Sequence, residues 1–145
     1  MKLLLHCCCA PCTITCNENL TEDGIEPTLF WYNPNIQPYP EYQNRRDTLT
    51  AYAAAENLSL IIEDEYGTDG LSETTDEKRC ETCYRLRLEK TAAYAAENGF
   101  ETFSTSLLTS PYQRHDLIRQ IGEETAAKYG VVFFYRDFRP LFRQG

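Results

Sequence analysis

Apolar and polar positions along this chain fall into short blocks that alternate between two periods. Compact apolar runs at Lys2 to His6, Pro27 to Tyr32, Leu58 to Ile62, Glu101 to Leu107 and Val131 to Tyr135 read as five strands. Between them lie longer stretches whose apolar residues recur at helical spacing. They predict helices over about Cys12 to Asp23, Glu41 to Asn57, Cys80 to Asn98 and Gln113 to Tyr129. Pro11 suits the first turn of the first helix, and Gly24 and Gly99 stand where helices stop. In the second helix Leu49, Tyr52 and Ala53 share one apolar face. The polar stretch Glu63 to Lys78, with Gly67 and Gly70, reads as a long loop able to act as a lid.

Strands that alternate with helices of ten or more residues predict an α/β fold, a parallel sheet with helices on both faces. Ligands of such sheets bind beyond the C-terminal ends of the strands. Three segments converge there: the cysteine run after strand one, the turn Asn33-Pro34-Asn35-Ile36-Gln37-Pro38 after strand two, and Ser104 to His115 after strand four. No repeat or linker divides the chain, so residues 1–145 are expected to form a single metal-binding catalytic domain.

Composition narrows the classes. With 42% hydrophobic and 12% aromatic residues the chain is expected to fold around a real core. No apolar run approaches the roughly 20 residues of a membrane span, and Lys2-Leu3-Leu4-Leu5-His6 is no signal peptide. A reducing, cytoplasmic setting follows, without a membrane partner. The formal net charge of −8 disfavours broad non-specific nucleic-acid binding. Yet Arg79, Arg85, Arg87 and Lys90 flank the second cysteine pair, which allows a local basic face.

The seven cysteines change the picture most. Cys7, Cys8, Cys9 and Cys12 follow the first strand, and Cys80 and Cys83 open the third helix. An odd count with three adjacent thiols does not suit a disulfide framework. Neighbouring strand residues point to opposite faces, so Cys8 and Cys9 can share a centre only if the chain turns there. Cys80 and Cys83, three apart, lie on one side of a helical turn, where a helix N-terminus favours thiolates. Two ligands from each end make a four-thiolate site suited to zinc or a [4Fe–4S] cluster. Cys7 and Cys16 read as inert neighbours, and His6 as a packed, hydrogen-bonded residue rather than a ligand.

The run Leu4-Leu5-His6-Cys7-Cys8-Cys9-Ala10-Pro11-Cys12 resembles the N-terminal signature of the QueH-type epoxyqueuosine reductases. The likeness continues through Tyr32 to Ile36, Glu41-Tyr42, Arg79-Cys80, Cys83 to Leu88, Ser110 to Gln113 with His115, and Tyr135 with Asp137 to Pro140. It implies a Rossmann-like fold similar to the adenine-nucleotide α-hydrolase or PP-loop proteins. It further implies reduction of epoxyqueuosine to queuosine at the wobble base of tRNA, with a separate electron donor. Carried over by motif, Cys8, Cys9, Cys80 and Cys83 would hold a [4Fe–4S] cluster, with Cys12 the best-placed ligand for an additional iron ion. Family members continue to a Cys-Gly-Cys, taken to be a redox-active pair, that does not occur before Gly145: either a short C-terminal extension is missing from the sequence or the protein lacks that electron relay.

Loss of an epoxide oxygen as water consumes two electrons and two protons. Tyr112, His115 and Asp137, near the strand ends, are the candidate proton donors, and Arg79, Arg85, Arg87 and Lys90 the candidate tRNA contacts. The competing reading is an α/β domain whose four cysteines hold zinc, with a structural or thiol-redox role.

Overall fold

The computed structural model describes residues 2–34, 36, 38–64, 76–110 and 113–139, with the side chains of 76–80 outside that description. In chain order its elements are β1 (Leu3–His6), α1 (Ala10–Glu22), β2 (Thr28–Trp31), α2 (Tyr39–Ala55) and β3 (Leu60–Ile62). They continue with α3 (Asp76–Glu97), β4 (Thr102–Thr105), a 3₁₀ turn (Ser106–Thr109), α4 (His115–Tyr129) and β5 (Val132–Phe133). The five strands form one sheet in the order β3-β2-β1-β4-β5, every neighbouring pair parallel.

That order makes the chain a Rossmann-like α/β domain. The right-handed rule for parallel crossovers places α1 and α2 on one face and α3 and α4 on the other. The packing of α1 on α2 and of α3 on α4 agrees. The order reverses between β1 and β4, where connections from opposite faces leave a crevice. Burial explains why β1 and β2 read as continuous apolar runs: Leu3, Leu4, Leu5, Leu29, Phe30 and Trp31 are all sealed in the core.

β4 breaks this pattern. Its Thr102, Ser104 and Thr105 are buried although polar. Ser104 donates to the Phe134 carbonyl at 2.8 Å, and Thr105 lies in register with His6. Strand four also ends earlier than its apolar pattern suggested. The Thr105 hydroxyl accepts from the Leu107 amide at 3.2 Å and starts the 3₁₀ turn, so Ser106 and Leu107 leave the strand. The first helix begins before Cys12, at Ala10, because Pro11 fits its first turn. Gly24 and Gly99 adopt positive φ after α1 and α3, as their helix-stopping positions require. Most of the long polar loop expected at Glu63 to Lys78 lies outside the described residues. Among the described residues no helix is long and apolar enough to cross a membrane.

Candidate metal centre

The crevice at the strand-order reversal is built from the chain following β1. Cys7 is still part of the core: its amide donates to the Phe30 carbonyl at 2.9 Å and its thiol to the Leu5 carbonyl at 3.2 Å. Burial pushes the Cys7 thiol up to about 12, so it stays protonated. Cys16 behaves alike, buried against Thr109 at 3.1 Å and pushed well above the usual thiol range by burial.

At Cys8 the chain turns. The Cys8 amide donates to the Ser106 hydroxyl at 2.9 Å, and that hydroxyl donates to the Cys8 sulfur at 3.2 Å. Cys9 then takes an extended conformation as the N-cap of α1, its carbonyl accepting from the Thr13 amide and hydroxyl. Cys12 follows within the first turn of the helix. The Sγ atoms of Cys8, Cys9 and Cys12 lie within 4.8 Å of one another, and none forms a disulfide.

The three thiols share their protons unequally. Hydrogen bonds from Cys12 and then Cys8 hold the Cys9 thiol far below its usual range, down to about 2, with Arg45 of α2 adding a cation at longer range. The bonds to Cys8 and Cys9 push Cys12 upward. Cys8, eased by Cys12 but opposed by Cys9 and by burial, sits near 11. The α1 N-terminus beside Cys9 favours a thiolate there through its dipole. The arrangement gives three soft donors facing one point, a donor set that suits zinc, iron or an iron–sulfur centre.

A rigid frame holds this turn. His6 is buried with both ring nitrogens engaged: Nδ1 accepts from the Thr105 hydroxyl at 2.9 Å, and Nε2 donates toward Asn33 Oδ1 at 3.0 Å and the Tyr32 carbonyl at 3.2 Å. Asn33 in turn donates from Nδ2 to the Cys7 carbonyl at 2.8 Å. Burial, then the nearby Arg87 cation, lowers His6 to about 3, so it is neutral. Its reading as a packed, hydrogen-bonded residue holds. Ser106, Asn33 and Thr105 lie in the segments expected to converge at the strand ends, but nothing in their spacing marks them as the partners of Cys8, Cys7 and His6.

The third helix contributes less directly. Cys83 is half-buried on α3 and stands outside the 4.8 Å group, while the side chains of Arg79 and Cys80 lie outside the described residues. Tyr84, next to Cys83, ties α3 to the entrance of α4: its hydroxyl donates to Gln113 Oε1 at 2.6 Å and accepts from the Arg114 amide at 3.1 Å.

The basic residues do not form one exposed face. Arg85 pairs with Glu124 at 2.8 Å and Glu81 at 3.7 Å. Arg87 is only 7% exposed, with Nε donating to the Cys83 carbonyl at 3.1 Å and its guanidinium over the Tyr84 ring. The expectation that Arg87 meets phosphate from the surface is thus corrected. Positions 85 and 87 point to nearly opposite sides of a helix, and the second side is the interior. Lys90 lies over the Tyr32 ring at 5.4 Å, beside the crevice.

Of the candidate proton donors, Tyr112 lies outside the described residues. Asp137 is clasped by Arg139, whose Nε donates to Oδ1 at 2.8 Å and whose amide donates to the same oxygen at 3.0 Å. The pairing holds the Asp137 carboxyl down at about 2, so it is ionised at neutral pH. His115, the first residue of α4, is buried, and neither ring nitrogen has a well-formed hydrogen bond among the described residues, the Ser110 backbone being the polar group close enough to raise its proton affinity. Burial, then Arg139, lowers its proton affinity against the pull of Asp137, the Ser110 backbone and Asp116.

Fold and site together define a class: a Rossmann-like domain whose switch-point crevice is a thiol centre instead of a phosphate cradle. Comparison with known proteins makes the class specific. The family model described as epoxyqueuosine reductase QueH matches residues 3–145. A curated protein of that name from Dehalococcoides mccartyi is 41% identical over 145 residues, covering 97% of this chain and 79% of the relative. Its namesakes from Acinetobacter baylyi and Thermotoga maritima are 39% and 37% identical over 92% and 94% of this chain, spanning 65% and 74% of their own lengths. The chain belongs to the epoxyqueuosine reductase QueH family, and as such is an oxidoreductase.

Proposed function

We propose that this chain reduces epoxyqueuosine to queuosine at the anticodon wobble position of tRNA, a step of queuosine biosynthesis. The observation that carries this reading is the convergence of Cys8, Cys9 and Cys12 at the switch-point crevice of a chain that matches the family from residue 3 to its end. The reaction breaks both epoxide C–O bonds, forms a C=C bond and releases the oxygen as water, taking up two electrons and two protons. A separate donor supplies the electrons.

The proposed cofactor is a [4Fe–4S] cluster held by Cys8, Cys9, Cys80 and Cys83, with Cys12 left to ligate an additional iron. Such a centre supplies single electrons at low potential. The chain's own residues set the surroundings. The Ser106 hydroxyl donates to the Cys8 sulfur, a hydrogen bond of the kind that stabilises thiolate charge and raises a reduction potential. The neutral, doubly engaged His6 fixes the Tyr32–Asn33 loop against the turn, so the thiols are preorganised. Lys90 and Arg79 are the basic residues left to meet RNA phosphate, joined by the outer part of Arg85 if Glu124 releases it.

One observation favours a second reading. Thiolates around a single tetrahedral ion lie about 3.8 Å apart, from a metal–sulfur distance of about 2.3 Å. The Cys8–Cys9 sulfur separation of 4.0 Å is close to that. A single zinc ion at Cys8, Cys9 and Cys12 would then be structural or redox-silent.

Anaerobic purification separates the two readings. A brown protein with broad absorption near 400 nm, about four irons and four sulfides per chain in the cluster, and turnover of an epoxyqueuosine-bearing anticodon arm is expected. Alanine at Cys8, Cys9, Cys80 or Cys83 should lower iron, absorbance and turnover together. A colourless protein with one zinc and no turnover would overturn the proposal.

A further inference from the structure

The described residues contain the chain's two histidines in opposite conditions. His6 has a partner for each nitrogen. His115 is 6% exposed and has no well-formed partner among the described residues, only the nearby Ser110 backbone. A buried imidazole without well-formed partners is costly and calls for an explanation, of which a functional role toward a ligand is one. His115 stands at the N-terminus of a 15-residue helix, on the connection that leaves β4 through Ser106, the residue bonded to Cys8. It therefore belongs to the C-terminal edge of the sheet, where α/β folds take their substrates.

The surrounding charges indicate what kind of group the imidazole takes. Arg139 is neutralised by Asp137, and Asp116 is the next residue in the helix. An anion would meet these carboxylates, while a cation would meet Arg139. The Tyr135 ring meets the imidazole edge-on at 6.3 Å and closes one side. A neutral hydrogen-bonding group is the one the site accommodates without an unbalanced charge.

We propose that His115 contacts the substrate directly, its imidazole exchanging hydrogen bonds with a hydroxyl or epoxide oxygen of the modified base. This rests on the epoxyqueuosine reading above and adds a residue that discriminates the modified base from an unmodified one. A site built to pair a substrate oxygen rejects analogues that lack it.

The test compares three anticodon-arm RNAs, identical except for epoxyqueuosine, queuosine or guanine at the wobble position. Fluorescence anisotropy measures their binding to the metal-loaded wild type and to its His115→Phe and His115→Gln variants. The wild type should favour the epoxyqueuosine arm over the guanine arm. In His115→Phe the epoxyqueuosine arm should weaken roughly tenfold, the value of one well-made hydrogen bond, with the guanine arm unchanged. His115→Gln, which keeps a donor and an acceptor, should recover part of the loss. A His115→Phe protein that keeps the full wild-type preference overturns the proposal while leaving the functional reading intact. So does an equal loss for all three arms, which marks an effect of the fold. A wild type that binds all three arms alike fails the functional reading itself. Thermal midpoint and visible spectrum of each variant confirm that fold and metal loading are retained.

Discussion

The two sides of the switch point satisfy their polar groups to different degrees. On the β1 side the described polar groups of the frame are matched within the chain: His6 to Thr105, Asn33 and Tyr32, Asn33 to Cys7, and Ser106 to Cys8 twice over. On the β4–β5 side a second buried histidine has no well-formed partner among the described residues, and the carboxylate of Asp137 is committed to Arg139. The contrast separates two uses of burial. A saturated network fixes three loops so that three thiols meet, and gains nothing more from a ligand. An unsaturated imidazole sacrifices stability in the free protein and recovers it only when something binds.

The largest expected effect comes from breaking the saturated side. His6→Phe removes a ring that serves Thr105, Asn33 and the Tyr32 carbonyl, stranding buried groups on two neighbouring loops. Each stranded group costs about 1–3 kcal/mol, so a total loss of about 3 kcal/mol is expected from urea unfolding monitored by circular dichroism. Iron content should fall in the same variant, because the turn that carries Cys8 and Cys9 loses its frame. A stability change below about 1 kcal/mol would mean that the network is not cooperative.

Ser106→Ala tests one joint of that frame and should cost less. It leaves the Cys8 amide without its acceptor and the Cys8 sulfur without its donor, a loss of about 1–2 kcal/mol. The metal-loaded variant should also show a lower reduction potential by voltammetry, since a donor to sulfur has gone. An unchanged potential would restrict Ser106 to holding the backbone.

How much of this was legible beforehand follows from what each feature depends on. The α/β class was legible from block alternation because β1 and β2 are buried on both faces and so read as plain apolar runs, whereas the strand order was not. The cysteine turn was legible for a local reason, since Pro11 dictates where the helix starts. The end of β4 was not, because a single hydroxyl–amide bond from Thr105 decides it. Arg87 was misplaced because charge alone does not tell which side of α3 faces the sheet. Its partners, the Cys83 carbonyl and the Tyr84 ring, are set by tertiary packing. Asp137 was one of two outcomes that a sequence cannot separate, a free acid or an ion pair, and the Arg139 clasp decides it.

The same substitution on the unsaturated side should act in the opposite sense. His115→Phe keeps an aromatic ring against Tyr135 and removes two polar atoms that have no well-formed partner among the described residues. The folded state should gain about 1 kcal/mol, a rise of about 3 °C in the thermal midpoint for a domain of this size, provided the slightly larger ring fits. Differential scanning calorimetry of His6→Phe and His115→Phe side by side is decisive, since the comparison predicts shifts of opposite sign. Two losses of similar size would erase the distinction between the two histidines.

The smallest effect concerns Asp137. Its folded carboxyl lies at about 2, below the usual carboxylate value of about 3.9, because Arg139 donates to it. Between those limits the unfolded chain binds a proton that the folded chain does not. The stabilisation is therefore complete above about pH 4 and is lost as the pH falls toward 2. The pair is partly exposed and solvent-screened, so its contribution at neutral pH is small. Asp137→Asn should be slightly less stable than the wild type at pH 7, and the difference should shrink at pH 2.5 in low salt. A difference that persists at pH 2.5 would show that the side chain matters through its Arg139 amide contact instead of its charge, because Asn can still accept that hydrogen bond only weakly. The binding readout sharpens the point: with Arg139 no longer neutralised, the surroundings of His115 become cationic, and its selectivity for a neutral group should weaken along with the pair.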